Sequence, residues 1–216
     1  MTTELLVHAR AQLALHTIRD GVGRPLLHLH GLGERTPDSV PDRLSSWSGP
    51  VFGLDFVGHG GSTLPRGGGY TAEVLMADVD TALRSIGEAT LFGRGVGAYV
   101  ALLAAGARPD LVRGAVLADG PGLAGGGPQP GSSSIVTLEV GARGPTPDAY
   151  ALLELSRDVR PPDYAMTYVR HAVEFGAFDD LLVVTTVVRP EWLTGILGEP
   201  GVVERSVADA LALYAD

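Results

Sequence analysis

The stretch Leu91-Phe92-Gly93-Arg94-Gly95-Val96-Gly97-Ala98 decides how this chain folds. Residues 90–93 form a short β-type run, and residues 96–107 are rich in alanine and leucine, so a strand passes into a helix within one turn. Glycines occupy alternate positions of that turn, at 93, 95 and 97. A chain that reverses so sharply is strained, and small neighbours let it approach itself.

The same strand-then-glycine pattern occurs twice upstream. Residues 25–30 are an apolar strand closed by Gly31-Leu32-Gly33, and residues 50–55 lead into Gly58-His59-Gly60-Gly61. Before them, 5–8 and 13–19 read as an antiparallel pair turned near 9–12. Residues 71–86 have helical periodicity, with Val74, Leu75, Val79, Leu83 and Ile86 on one face and Thr71 as N-cap. Downstream, 114–118 is the next strand, and residues 120–134, dense in Gly, Pro and Ser, read as a surface loop. Further on, 135–140 reads as strand, 148–156 and 162–175 as helices, 181–188 as a fully buried strand and 204–214 as a closing amphipathic helix. Short strands alternating with helices predict an α/β architecture, a mostly parallel sheet with helices on both faces. No repeat, heptad series or linker divides residues 1–216, which read as one domain.

Composition narrows the chemistry. A formal charge of −9 argues against a nucleic-acid partner, which needs clustered cations. There is no cysteine, and all 16 basic residues are arginine, so thiolate and lysine Schiff-base chemistry are excluded. The N-terminus lacks the pattern of a signal peptide and no apolar run reaches membrane-spanning length, so a cytoplasmic protein without a membrane partner is expected. No cofactor motif is found: the 93–97 glycines do not match the dinucleotide fingerprint. His28 and His30 alternate along a strand and are expected to face one side, but lack a third metal ligand.

Three segments, in order, resemble the α/β-hydrolase family. Residues 26–33, Leu-Leu-His-Leu-His-Gly-Leu-Gly, look like its His-Gly oxyanion loop. Asp55-Phe56-Val57-Gly58-His59-Gly60-Gly61-Ser62 is similar to its Asp-x-x-Gly-His-Gly-x-Ser turn. The stretch 91–98 sits where the Gly-x-Ser-x-Gly nucleophile elbow belongs. The resemblance covers about residues 25–120 and is looser beyond. It implies an α/β-hydrolase fold with little or no cap, the 120–134 loop standing in its place.

The same resemblance locates what is missing. A family member places serine where this chain has Gly95, which offers no oxygen for attack. The family's acid often stands in Gly-x-x-Asp after a strand in the second half of the sheet; residues 141–145 fit that place, with Gly144 at the acid position. The family's histidine follows the last strand, and 185–190 contain none. What the resemblance keeps is the oxyanion half: the N–H groups of Leu32 and Val96 would face one pocket, at the positive end of the helix starting at Val96. With no side chain on Gly95, that pocket is expected to have extra room. Its expected ligand-binding residues are His30, Gly31, Leu32, Arg94, Gly95 and Val96.

Each polar residue nearby has two readings. His30 either donates to a ligand or braces its loop, His59 steadies a tight turn, and Asp55 caps that turn. Ser62 is the nearest alternative nucleophile, although the family turn carries serine there without using it. Arg94 either clamps an anion or forms a surface ion pair. Asp148 reads as a helix N-cap and His171 as a solvated surface residue. The leading expectation is a non-catalytic pseudo-hydrolase that binds a small carbonyl- or carboxylate-containing ligand or a partner protein. The alternatives are a serine-independent hydrolase or lyase using His30, His59 or Asp55 as acid–base groups, and a subunit that only offers surface.

Overall fold

The computed structural model describes residues 1–126, 146–176 and 181–215. The described residues form eight strands in one sheet, ordered β1-β2-β4-β3-β5-β6-β7-β8. The strands are β1 Thr2–His8, β2 Ala11–Arg19, β3 Leu26–Leu29, β4 Val51–Leu54, β5 Ala89–Arg94, β6 Val112–Ala118, β7 Leu182–Val184 and β8 Val202–Glu204. Strands β1, β2 and β4 pair antiparallel, and every other neighbouring pair is parallel. The helices are α1 Ala72–Ile86, α2 Val96–Ala107, α3 Ala149–Arg157, α4 Pro162–Phe175, α5 Glu191–Ile196 and α6 Val207–Tyr214.

Strands β3, β4, β5, β6 and β7 are largely buried on both faces, which is why they read as apolar runs. Alternation along each strand divides the core in two. Leu27, Leu29, Leu91, Leu117, Leu182 and Val184 join the larger core with α1, α2, α4 and α5. Leu26, Phe92, Val116, Ala118 and Val183 turn the other way, onto Tyr214 and Leu211 of α6 and onto Leu44 and Trp47. Helix α2 is buried nearly all round, as its uniform apolar sequence requires. Thr71 caps α1, its hydroxyl accepting from Val74 N–H, and Asp148 caps α3 by accepting from Tyr150 N–H.

Several expectations are corrected. The run 181–188 contributes only Leu182–Val184 to the sheet, and it is not the last strand. The last is β8, three residues long and too short to show a period, which pairs parallel with β7. Between them lies α5, which the sequence reading passed over. The expected strand at 135–140, residues 127–134 of the expected loop and the Gly144 position lie outside the described residues. No helix among the described residues is long and apolar enough to cross a membrane.

Candidate functional site

Strand β5 passes into α2 through Gly95, at φ 59° and ψ −126°, a conformation that side chains rarely adopt. Its neighbours need to be glycine for a different reason. A Cβ at Gly97 would stand 2.5 Å from the Leu29 carbonyl oxygen and 2.6 Å from that of His30. The sharp strand-to-helix turn therefore exists, with its backbone packed against the end of β3.

The space beside Gly95 is filled, which corrects the expectation of extra room there. A Cβ on Gly95 would overlap the carbonyl oxygen of Pro121 and stand 2.7 Å from the Gly120 carbonyl carbon. That same Pro121 oxygen accepts from Leu32 N–H and from Val96 N–H, each at 2.9 Å. The two donors do converge on one point, at the N-terminus of α2, and the chain's own carbonyl occupies it.

The segment carrying Pro121 is tied down along its length. Asp119, directly after β6, accepts from Val187 N–H at 2.7 Å and Val188 N–H at 3.1 Å. Arg160, whose side chain is fully buried, donates to the carbonyls of Gly122 at 2.6 Å and Leu123 at 2.7 Å. Trp192 Nε1–H donates to the Leu123 carbonyl at 2.8 Å, and Gly126 N–H to that of Asp158 at 2.8 Å. Burial holds the Arg160 pKa down, at about 10, although the Asp158 carboxylate 3.9 Å away works against it; the guanidinium stays charged.

The histidines nearest the turn are fully engaged. His30 is completely buried, with Nδ1–H donating to the Gly31 carbonyl at 2.8 Å and Nε2 accepting from Phe56 N–H at 3.1 Å. Burial, and then the neighbouring His59, hold its pKa down at about 3. His59 is equally buried; Nδ1–H donates to the Val57 carbonyl at 3.3 Å and Nε2 accepts from Gly33 N–H at 3.2 Å. Burial lowers its pKa as well. Asp55 accepts from Thr36 N–H, Gly61 N–H and His16 Nε2–H at 2.7, 2.8 and 3.0 Å. Burial alone would raise its pKa, but these hydrogen bonds outweigh burial and hold it below the usual carboxylate range. Ser62 donates to the Asp55 carbonyl at 2.5 Å and accepts from Ala14 N–H at 2.9 Å. Both ring nitrogens of His30 and of His59 are engaged, and Asp55 and Ser62 are hydrogen-bonded within the fold.

The resemblance implies an acid and a histidine after strands in the second half of the sheet. After β7 come Thr185 and Thr186, and after β8 come Arg205 and Ser206. The resemblance implies a histidine after the last strand; among the described residues that strand is β8, so the stretch after it, and not only 185–190, is where the resemblance points. Asp119 is the carboxylate the sequence reading overlooked, although an acidic residue directly after an apolar strand was a visible signal. Among the described residues no group of three or more His, Asp or Glu is placed to hold a metal ion.

His28 and His30 part company, against the expectation of a shared side. His30 lies past the end of β3 and packs on Phe56 at 4.8 Å between ring centroids, whereas His28 stacks on Phe92 at 5.8 Å. Arg94 follows His28 to that face and makes the ion-pair reading's contact, Nη1 to Glu34 Oε1 at 3.2 Å. Glu34 is itself fixed, accepting from Gly31 N–H at 2.9 Å. His171 is exposed but not merely solvated, since Nδ1–H donates to the Gly106 carbonyl at 2.6 Å.

The described fold is similar to that of solved structures. Haloalkane dehalogenase DatA from Agrobacterium tumefaciens, in a mutant form, superposes with a TM-score of 0.61 at 18% identity, covering 94% of this chain and 88% of that one. The chain has the α/β-hydrolase fold. A mutant of N-formylmaleamic acid deformylase from Pseudomonas putida gives a TM-score of 0.57 at 16% identity over 96% of this chain and 92% of that one. A membrane phospholipase A described as a bacterial virulence factor gives 0.52 at 16%, over 95% and 78%. With VinJ the match spans 54% of this chain and 43% of that one, at 27% identity and a TM-score of 0.46. At such identities the likeness concerns the fold alone. No family model and no curated protein matches the sequence.

Proposed function

We propose that this protein is a non-hydrolytic member of the α/β-hydrolase fold, a scaffold that binds rather than cleaves. One observation carries the reading: Gly95 stands at the nucleophile position and the Pro121 carbonyl sits on the N–H groups of Leu32 and Val96. An oxyanion hole works by donating to charge that develops on substrate oxygen, and donors already paired inside the protein must first release their partner. Supporting it, His30, His59 and Ser62 hydrogen-bond to backbone partners, and Asp55 to backbone N–H groups and to His16. These partners also weigh against the acid–base alternative built on His30, His59 and Asp55, because a general base needs reach to a substrate proton.

The test is to expose concentrated, purified protein to a fluorophosphonate probe and to short-chain activated esters, with heat-denatured protein as control. The expected result is neither covalent labelling nor turnover above the control. Labelling would place a working nucleophile elsewhere in the chain. Unlabelled turnover following a single ionisation near neutral pH would favour the acid–base reading instead.

A further inference from the structure

On the sheet face opposite α2, the Glu34–Arg43 part of the β3–β4 connection overhangs the ends of β3 and β5. Between them lies a cavity of about 270 Å³ lined by His28, Glu34, Arg35, Pro37, Pro41, Arg43 and Arg94. Pro121 does not line it, and of the elbow only Arg94 does. We propose that it is a binding site for a small monocarboxylate, held by the guanidinium groups of Arg43 and Arg94 against the imidazole of His28.

The charge on the wall argues first. The chain as a whole carries −9, yet three of these seven residues are arginine and one is acidic. Two of the arginines are balanced: Arg94 by Glu34 at 3.2 Å and Arg35 by Asp38 at 3.1 Å. Arg43 is exposed and makes no ion pair among the described residues, so its guanidinium stands at the rim without a carboxylate partner. A monoanion suits that rim. Guanidinium is planar and presents donors in a fork, which suits the two oxygens of a carboxylate.

An orphaned polar atom argues independently. His28 is only 4% exposed, and its Nδ1 has no hydrogen-bond partner. Buried polar atoms without partners are rare and call for an explanation. Burial, and then Arg94 and Arg43, hold its pKa down at about 4, so the ring is neutral near pH 7 and sits close to both cations. A neutral ring lines the cavity without adding charge, and its unpartnered Nδ1, itself closed to solvent, marks polarity in the wall that the fold does not use. The volume sits at or below the small end of ligand cavities, which restricts the guest to a compact organic acid.

Histidine-selective ¹⁵N–¹H NMR tests this with acetate, butyrate and inorganic phosphate as probes. Butyrate or acetate is expected to move the His28 ring signals saturably, and Arg43→Ala to weaken the binding at least about tenfold. Arg43→Ala should keep the parent's thermal midpoint, and Arg10→Ala, at an exposed arginine of the β1–β2 turn, should bind like the parent. A carboxylate that leaves His28 unmoved, or binds Arg43→Ala as tightly as the parent, overturns the proposal. Phosphate binding alone overturns the carboxylate assignment. Esterase activity would leave this test untouched, so the two readings fail separately.

Discussion

Restoring serine at the elbow should not restore a hydrolase, and the size of the failure can be worked out. In Gly95→Ser the new Cβ overlaps the Pro121 oxygen and stands 2.7 Å from Gly120 C and 2.8 Å from Pro121 C. The segment must move, which costs the two hydrogen bonds from Leu32 and Val96, at about 1 kcal/mol each. Holding a non-glycine residue at φ 59° and ψ −126° costs about 1–3 kcal/mol more. The expected destabilisation is therefore about 3–5 kcal/mol in urea unfolding. Gly87→Ala supplies the control, since Gly87 also has positive φ, 84°, but a Cβ there meets nothing within 4 Å. It should lose only the backbone share, and the difference between the variants isolates the overlap with 120–121. Fluorophosphonate labelling of Gly95→Ser is expected to be absent. A variant within about 1 kcal/mol of the parent that labels readily would refute the argument, because the Pro121 carbonyl would then be a weak occupant that yields to a nucleophile.

Further outcomes follow from buried groups. Arg160→Met should cost about 3 kcal/mol in urea unfolding, since it leaves the Gly122 carbonyl without its guanidinium donor and Leu123 with Trp192 alone; a loss below about 1 kcal/mol would show that the segment is held by other means. Asp78 on α1 is buried, and burial raises its pKa from 3.8 to about 6 although Val57 N–H and His8 donate to it. A folded pKa above the unfolded one means stabilisation that is complete below about pH 4 and lost as the pH rises through about 6, worth about 3 kcal/mol. Asp78→Asn should thus gain on the parent by up to about that amount between pH 4 and 7, and a pH-independent difference would contradict it. His30 is shifted the other way, to about 3, so it costs stability as the pH falls below its unfolded value of 6.5. Its ring ¹⁵N shifts should stay constant from about pH 8 to 5, and a titration near 6.5 would show the ring open to solvent.

How much was legible depends on the range of the forces involved. The elbow, the Thr71 and Asp148 caps, the amphipathic α1 and the apolar strands could be read because each is set by residues a few positions apart. The fold followed from their order. Asp78 is legible too: it falls among Leu75, Val79 and Ala82 on the apolar face of α1, where a carboxylate needs partners. β8 escaped because Val202–Glu204 is too short for a period, and only its pairing with β7 makes it a strand.

The sequence by itself determined that a strand turns sharply into a helix at Gly95, and that no serine stands there. It could not say what fills the space that glycine leaves. That was decided by tertiary structure, because the Pro121 carbonyl reaches Leu32 and Val96 only when β3, β5 and β6 lie side by side. Backbone hydrogen bonds carry no side-chain signature, so a carbonyl that closes a site leaves no trace in the order of residues. The same holds for the gathering of His28, Arg43 and Arg94, which belong to three separate segments and meet only on the folded sheet.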